Sequence, residues 1–179
     1  MSEKKNLPQL PQEIPLKNLD LPSLQRKEIY LKVSENDVER QMIDSDFSGM
    51  KMTALLSLDP KKYLSCIVDM VSRWRYLLGC MKDVDSKQIS IEAKYISSDF
   101  GHLTINDLII AINLYMKQDL DMNYPNYIIF SPLLISQILI AYEKYKRKAY
   151  ASLIEKAGKI LNVPAQVSTD DRVKVMKDL

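Results

Sequence analysis

Lys144, Tyr145, Arg147, Lys148 and Tyr150 fall inside one seven-residue stretch, KYKRKAY. These residue types suit one chemistry above others. Ammonium and guanidinium groups pair with phosphates, and tyrosine rings stack on unpaired bases. At about 100° per residue along a helix, Lys144, Arg147 and Lys148 share a face. From Tyr142 to Lys159 six basic residues stand against Glu143 and Glu155 alone, while the whole chain carries a formal charge of only +2. Any electrostatic argument is therefore local to this stretch. Two plainer readings stay open beside nucleic-acid contact. Cations near a helix C-terminus are stabilised by the helix dipole with no ligand at all, and the same surface suits a protein partner.

Residues fit for catalysis are sparse. His102 is the single histidine and sits in DFGHLT, between two expected helices. It reads as a loop or capping residue, since a metal site needs further ligands beside it. Asp83 with Asp85, and Asp119 with Asp121, are carboxylate pairs in expected loops. An EF-hand requires Gly at its sixth place and Glu at its twelfth. Counted from Asp83 those places hold Gln88 and Lys94, and from Asp119 they hold Tyr124 and Phe130. Both pairs read as solvated turn residues. Gly49, Gly79, Gly101 and Gly158 are too dispersed to build a phosphate-cradling loop or a dinucleotide turn. Cys66 and Cys80 lie about 20 Å apart if they share one helix, too far for a disulfide, and read as reduced core thiols. No catalytic residue, metal or cofactor is assigned, and the chain reads as a non-enzyme.

The elements that must position these residues follow from punctuation. Pro8, Pro11, Pro15 and Pro22 crowd residues 1–33, and proline fixes φ while removing an amide donor. An extended arm is expected there, with EIYLKV (residues 28–33) offering a short strand. Leu7, Leu10, Ile14, Leu16, Leu19 and Leu21 alternate with those prolines. They lie loosely over the body or enter grooves on a partner or a neighbouring copy. Ser34 with Asp37 then reads as a capping pair opening a short helix, and Phe47 to Leu58 is ambiguous. Asp59-Pro60 opens a helix with Leu64, Ile67, Val68, Val71, Trp74 and Leu78 on one stripe, closed by Gly79. Trp74 reads as a core residue between solvated Arg73 and Arg75.

Residues 86–98 are assigned to a helix, although Ile89, Ile91, Ala93 and Tyr95 alternate as in a strand. Thr104 with Asp107 has capping-box spacing, and Leu108, Ile109, Ile112, Tyr115 and Met116 form the buried face behind it. After the Asn-Tyr-Pro-Asn turn, Ser131-Pro132 starts a helix of about 25 residues with Gly158 as its stop. Leu134, Ile135, Ile138, Leu139, Tyr142 and Tyr145 point inward along it. The expected fold is all-α: an irregular bundle of five or six helices (34–160) with an extended proline-rich arm (1–33) and a tail (161–179) holding a short helix, Thr169 to Lys177. The apolar run Leu133 to Ala141 is too short to span a bilayer. MSEKKNLPQL does not look like a signal peptide. No membrane partner is expected.

The run FGHLTINDLIIAINLYMKQDLD, followed by a Y-x-x-F loop and SPLLISQILIAYEKYKRKA, resembles a region of small helical proteins encoded by bacteriophages and mobile elements of Bacteroidetes. Those proteins are taken as replication-accessory or helicase-loader-like proteins. The resemblance covers residues 100–149 and supplies no catalytic residue. It implies a DNA-replication accessory in the cytoplasm of a bacterial host. On the residue reading above, that protein holds DNA through the 142–159 stretch and a protein partner through its apolar arm. The alternative is a structural or assembly subunit of a phage virion, such as a connector or packaged protein, whose arm threads onto a neighbour.

Overall fold

Proline leaves the N-terminal part of the chain at residue 22, and a helix begins directly behind it. The computed structural model describes residues 22–80 and 85–161. The aliphatic anchors from Leu7 to Leu21, the carboxylate of Asp83 and the expected helix Thr169 to Lys177 lie outside the described residues. Helix α1 (Ser23–Val33) has Pro22 at its N-cap position, where a fixed φ and a missing amide do not interrupt the hydrogen-bond ladder. This corrects the expectation of extended chain or strand up to residue 33. No proline follows Pro22 in that stretch, and packing selects the helix by burying Ile29 and Tyr30.

Local caps fix most of the remaining boundaries. Helix α2 (Asp37–Ser48) is capped by Asn36, whose side-chain oxygen accepts from the Glu39 amide at 2.9 Å, while Glu39 accepts from the Glu35 amide at 2.7 Å. The expected Ser34–Asp37 pair does not form; the Ser34 hydroxyl donates back to the Leu31 carbonyl at 2.7 Å. The ambiguous segment becomes helix α3 (Met52–Leu58). Helix α4 (Pro60–Leu77) starts at Asp59, which accepts from the Lys62 amide at 3.0 Å. Helix α5 (Ser86–Asp99) resolves the strand-like alternation in favour of a helix, and Asp85 caps it by accepting from the Gln88 amide at 2.7 Å. Helix α6 (Ile105–Met116) carries the complete Thr104/Asp107 capping box. Helix α7 (Pro132–Leu161) is capped by Ser131, which accepts from the Leu134 amide at 3.3 Å. It runs through Gly158, correcting the expected stop. A Cβ at residue 158 would meet nothing, so this glycine is not a required terminator.

Among the described residues α2 to α7 supply the upper figure of the five or six helices expected after residue 33, α1 adds one where extended chain was expected, and no named strand occurs. One antiparallel bridge, Lys51 with Thr104, ties the start of α3 to the turn before α6. Gly101 is required at that crossing. A Cβ there would lie 2.8 Å from Thr53 Cγ2 and 2.6 Å from the Ser97 carbonyl. Of the stripe expected on α4, Leu64 instead points outward, and on α6 so does Met116.

The main core gathers Ile67, Trp74, Ile96, Leu108, Ile112, Ile135, Ile138 and Leu139 between α4, α5, α6 and the first half of α7. A second, smaller core of Ile29, Tyr30, Ile43, Leu153 and Ala157 forms where α1 and α2 close on the second half of α7. Helix α7 is thus the spine shared by both.

Candidate functional site

The outer side of α7 presents Leu133, Gln137, Ile140, Lys144, Arg147 and Lys148 as exposed positions at helical spacing. Lys144, Arg147 and Lys148 therefore do share one accessible face. Their acidic neighbours are loosely placed. Arg147 lies 3.9 Å from Glu143, and Lys148 lies 3.3 Å from an exposed Asp121. Pairs of this kind contribute little to stability, so the cations remain available to a partner. Glu143 also meets His102 across the turn before α6, at 2.5 Å. The lone histidine thus sits in an interhelical polar contact.

The two tyrosines of the stretch do not join that face. Tyr145 packs against the main core, and burial raises its phenol pKa. Tyr150 packs into the second core, edge-on to Tyr30 at 5.9 Å between ring centroids. Its hydroxyl donates to the Met42 carbonyl at 3.5 Å, and burial followed by the Asp46 charge pushes its phenol far above the usual range. Neither ring is offered as a platform for a base. The structure brings together the three cations and separates them from the aromatics.

Lys146, in the middle of the basic run, turns inward to a dense polar cluster. Its ammonium donates to Asp107 at 2.9 Å and to Asp46 at 2.5 Å. The same Asp107 carboxylate accepts from the Tyr142 hydroxyl at 2.5 Å and from the Thr104 amide at 2.9 Å. Ser45 shares a hydrogen bond with Thr104. Burial alone would raise the Asp107 pKa, but the Lys146 charge and the donors from Tyr142 and Thr104 outweigh it and hold the carboxyl below its ordinary value. The Tyr142 phenol moves the other way, raised by burial and by the Asp107 charge. This cluster clamps α2, α6 and α7 and leaves the carboxylate no free lone pair for outside chemistry.

A second buried polar site escaped the sequence reading. Arg75, expected in solvent, is 6% exposed and pairs through two nitrogens with both oxygens of fully buried Glu92. Its guanidinium lies 4.6 Å from the Phe130 ring centroid, and it also donates to the Cys80 carbonyl at 3.3 Å. Gln88 donates to Glu92 at 2.8 Å. A signal was present: Arg75 falls on the apolar stripe between Val71 and Leu78, and Glu92 between Ile89 and Ile96. The site locks α4, α5 and the loop before α7 together. Cys66 and Cys80 are free and only half-buried, which places them less deeply than core thiols.

The chain matches no protein-family model, no curated protein and no solved structure. Function has to be argued from its own surfaces. No helix among the described residues is long and apolar enough to cross a membrane, and no group of three or more His, Cys, Asp or Glu side chains among them is arranged to hold a metal ion.

Proposed function

We propose that this protein is a non-enzymatic subunit of a larger assembly and works by protein–protein contact through the outer side of α7 and the loop that leads into it. One observation carries the reading: Tyr127, Ile128, Ile129, Leu133 and Ile140 are all exposed, Tyr127 at 86% and Ile129 at 76%. Single exposed apolar side chains are ordinary, but three in succession followed by Leu133 in the first turn of α7 and Ile140 two turns further on mark a surface made to be covered. The inferred setting is a phage or mobile element, on the resemblance carried by residues 100–149, with virion or connector assembly as the process. Light scattering on the full chain tests it. A defined oligomer is expected, and Ile129→Asp with Leu133→Asp should dissolve it to monomer with helicity unchanged. A chain that stays monomeric at every concentration would sink the reading.

The replication-accessory reading stands second, favoured by the shared exposed face of Lys144, Arg147 and Lys148. Without stacking tyrosines it is a purely electrostatic contact. Three phosphates neutralised give a logarithmic salt slope of about −2.7 on duplex DNA. Charge reversal of those three residues should then abolish DNA retention without changing helicity, and retention that survives the reversal ends this reading.

A further inference from the structure

Between Leu133 and Ala151 the exposed residues of α7 are Leu133, Gln137, Ile140, Lys144, Arg147 and Ala151, with Lys148 alone beside them. The six follow one another in alternating steps of four and three. That is the 3.5-residue repeat of a seam suited to a second helix, and it is narrower than the face a solvated helix leaves open. The other sides of α7 are taken by α1, α5 and α6. The loop that enters the seam is firmly held. The Arg75 guanidinium lies over the Phe130 ring at 4.6 Å, and the Tyr124 hydroxyl bonds both the amide and the carbonyl of Leu120 at 3.0 Å. A partner therefore meets a surface that needs little ordering.

The order of residue types along the seam restricts what that second helix can be. The first half carries the apolar Leu133 and Ile140, and the second half carries the cations. Two copies laid parallel would set Lys144 on Lys144 and Arg147 on Arg147, like charges in successive layers. Two copies laid antiparallel about Ile140 exchange the layers. The paired Lys144 residues then stand roughly 12 Å apart along the axis and the Arg147 residues roughly 21 Å, at 1.5 Å per residue. We propose that the outer seam of α7 pairs with the same seam of a second copy, antiparallel and two-fold symmetric about Ile140. This rests on the contact surface proposed above, and it names the partner and the orientation. Ile140 packs on its own counterpart, and the Gln137 amide oxygen accepts from the Lys144 ammonium of the second copy. The aliphatic stem of Arg147 covers Leu133 of the second copy while its charged end reaches water.

The test is the dimerisation constant of the full chain by analytical ultracentrifugation, with charge placed at Gln137. That side chain is exposed, so the fold should tolerate the changes, and circular dichroism establishes that each variant is folded. Gln137→Glu should tighten the dimer about fivefold, because two new pairs with Lys144 form, each of ordinary surface strength. Gln137→Lys should loosen it by a similar factor. Gln137→Lys combined with Lys144→Glu has the same net charge as Gln137→Glu and should tighten the dimer as much. A parallel pairing would loosen under all three changes, since each residue would face its own copy, and that result overturns the proposal. A dimer indifferent to all three is built on another surface; the antiparallel seam then falls while self-association stands. A parent chain that is monomeric at every concentration removes both the seam and the contact reading beneath it.

Discussion

Asp107 is the residue on which three helices depend, and its protonation state gives the fold an acid-sensitive point. Its carboxyl titrates below the ordinary value because Lys146, Tyr142 and Thr104 stabilise the anion against the opposing effect of burial. A carboxyl depressed by folding adds stability that is fully present above its unfolded pKa of about 3.9, and that stability disappears as pH falls through the folded value. Stability should therefore drop below about pH 4. Asp107→Asn should cost about 2 kcal/mol at neutral pH, the worth of a hydrogen bond to a charged group, and should lose this part of the acid dependence. Urea midpoints of both proteins at neutral and acidic pH measure it; an equal gap at both pH values would show that Asp107 is not the titrating group. Half of this residue's role was legible. Thr104-x-x-Asp107 announces a capping box because both partners lie within one turn. Tyr142 and Lys146 are 35 and 39 positions away, and no local pattern names them. The same distance effect hid the inward turn of Lys146 inside an apparently solvated basic run.

Helix ends show the opposite case, where local chemistry decides nearly everything. Helices α4 and α6 finish with the same pair of backbone bonds. Cys80 donates to Arg75 and Gly79 to Tyr76 at the first, and Asp119 donates to Leu114 and Gln118 to Tyr115 at the second. This hydrogen-bonded stop requires a left-handed residue. Gly79 supplies it at φ 69°, whereas Gln118 is forced to φ 60°. A side chain in that conformation costs roughly 1 kcal/mol. Gln118→Gly should thus stabilise the protein by about 0.5 kcal/mol or more after the entropy of glycine is counted. Gly79→Ala should destabilise it by about 1 kcal/mol, although no atom crowds the new methyl. Thermal melts of the two variants should move in opposite directions; movement of both the same way would contradict the shared motif. Gly79, Asp59-Pro60 and Ser131-Pro132 were readable for this reason. Helix α1 was not, because its selection depends on Tyr30 meeting Phe47 and Tyr150, residues far along the chain. Upstream prolines drew the reading toward extended structure.

At the scale of the whole molecule, α7 joins two cores of unequal size, and their inequality should govern how the protein opens. The larger core is supported by the buried Arg75–Glu92 pair and by every helix from α4 onward. The smaller rests on a few side chains, of which Leu153 and Ala157 are the buried contribution of α7, with Tyr150, Ile154 and Leu161 half-buried against it. Surface ties such as Lys27 with Asp44 and Lys156 with Glu35, both 2.8 Å, are exposed on at least one side and add little. Local opening is drawn from regions with few buried apolar contacts, so α1 should separate before α6 loosens. Leu153→Ala should accentuate this. It removes a fully buried side chain at a cost of about 2–5 kcal/mol, paid mainly where α1 and α2 meet α7. Hydrogen exchange should then accelerate across α1 and the end of α7 while amides of α6 keep their protection. Uniform acceleration through all helices would mean that the two cores unfold as one unit. The division also separates side chains that the sequence placed in one stretch. Lys144, Arg147 and Lys148 stand exposed on the outer side of α7, whereas Tyr145 packs against the larger core and Tyr150 against the smaller. A contact on the exposed stripe therefore acts on the rigid part of the molecule.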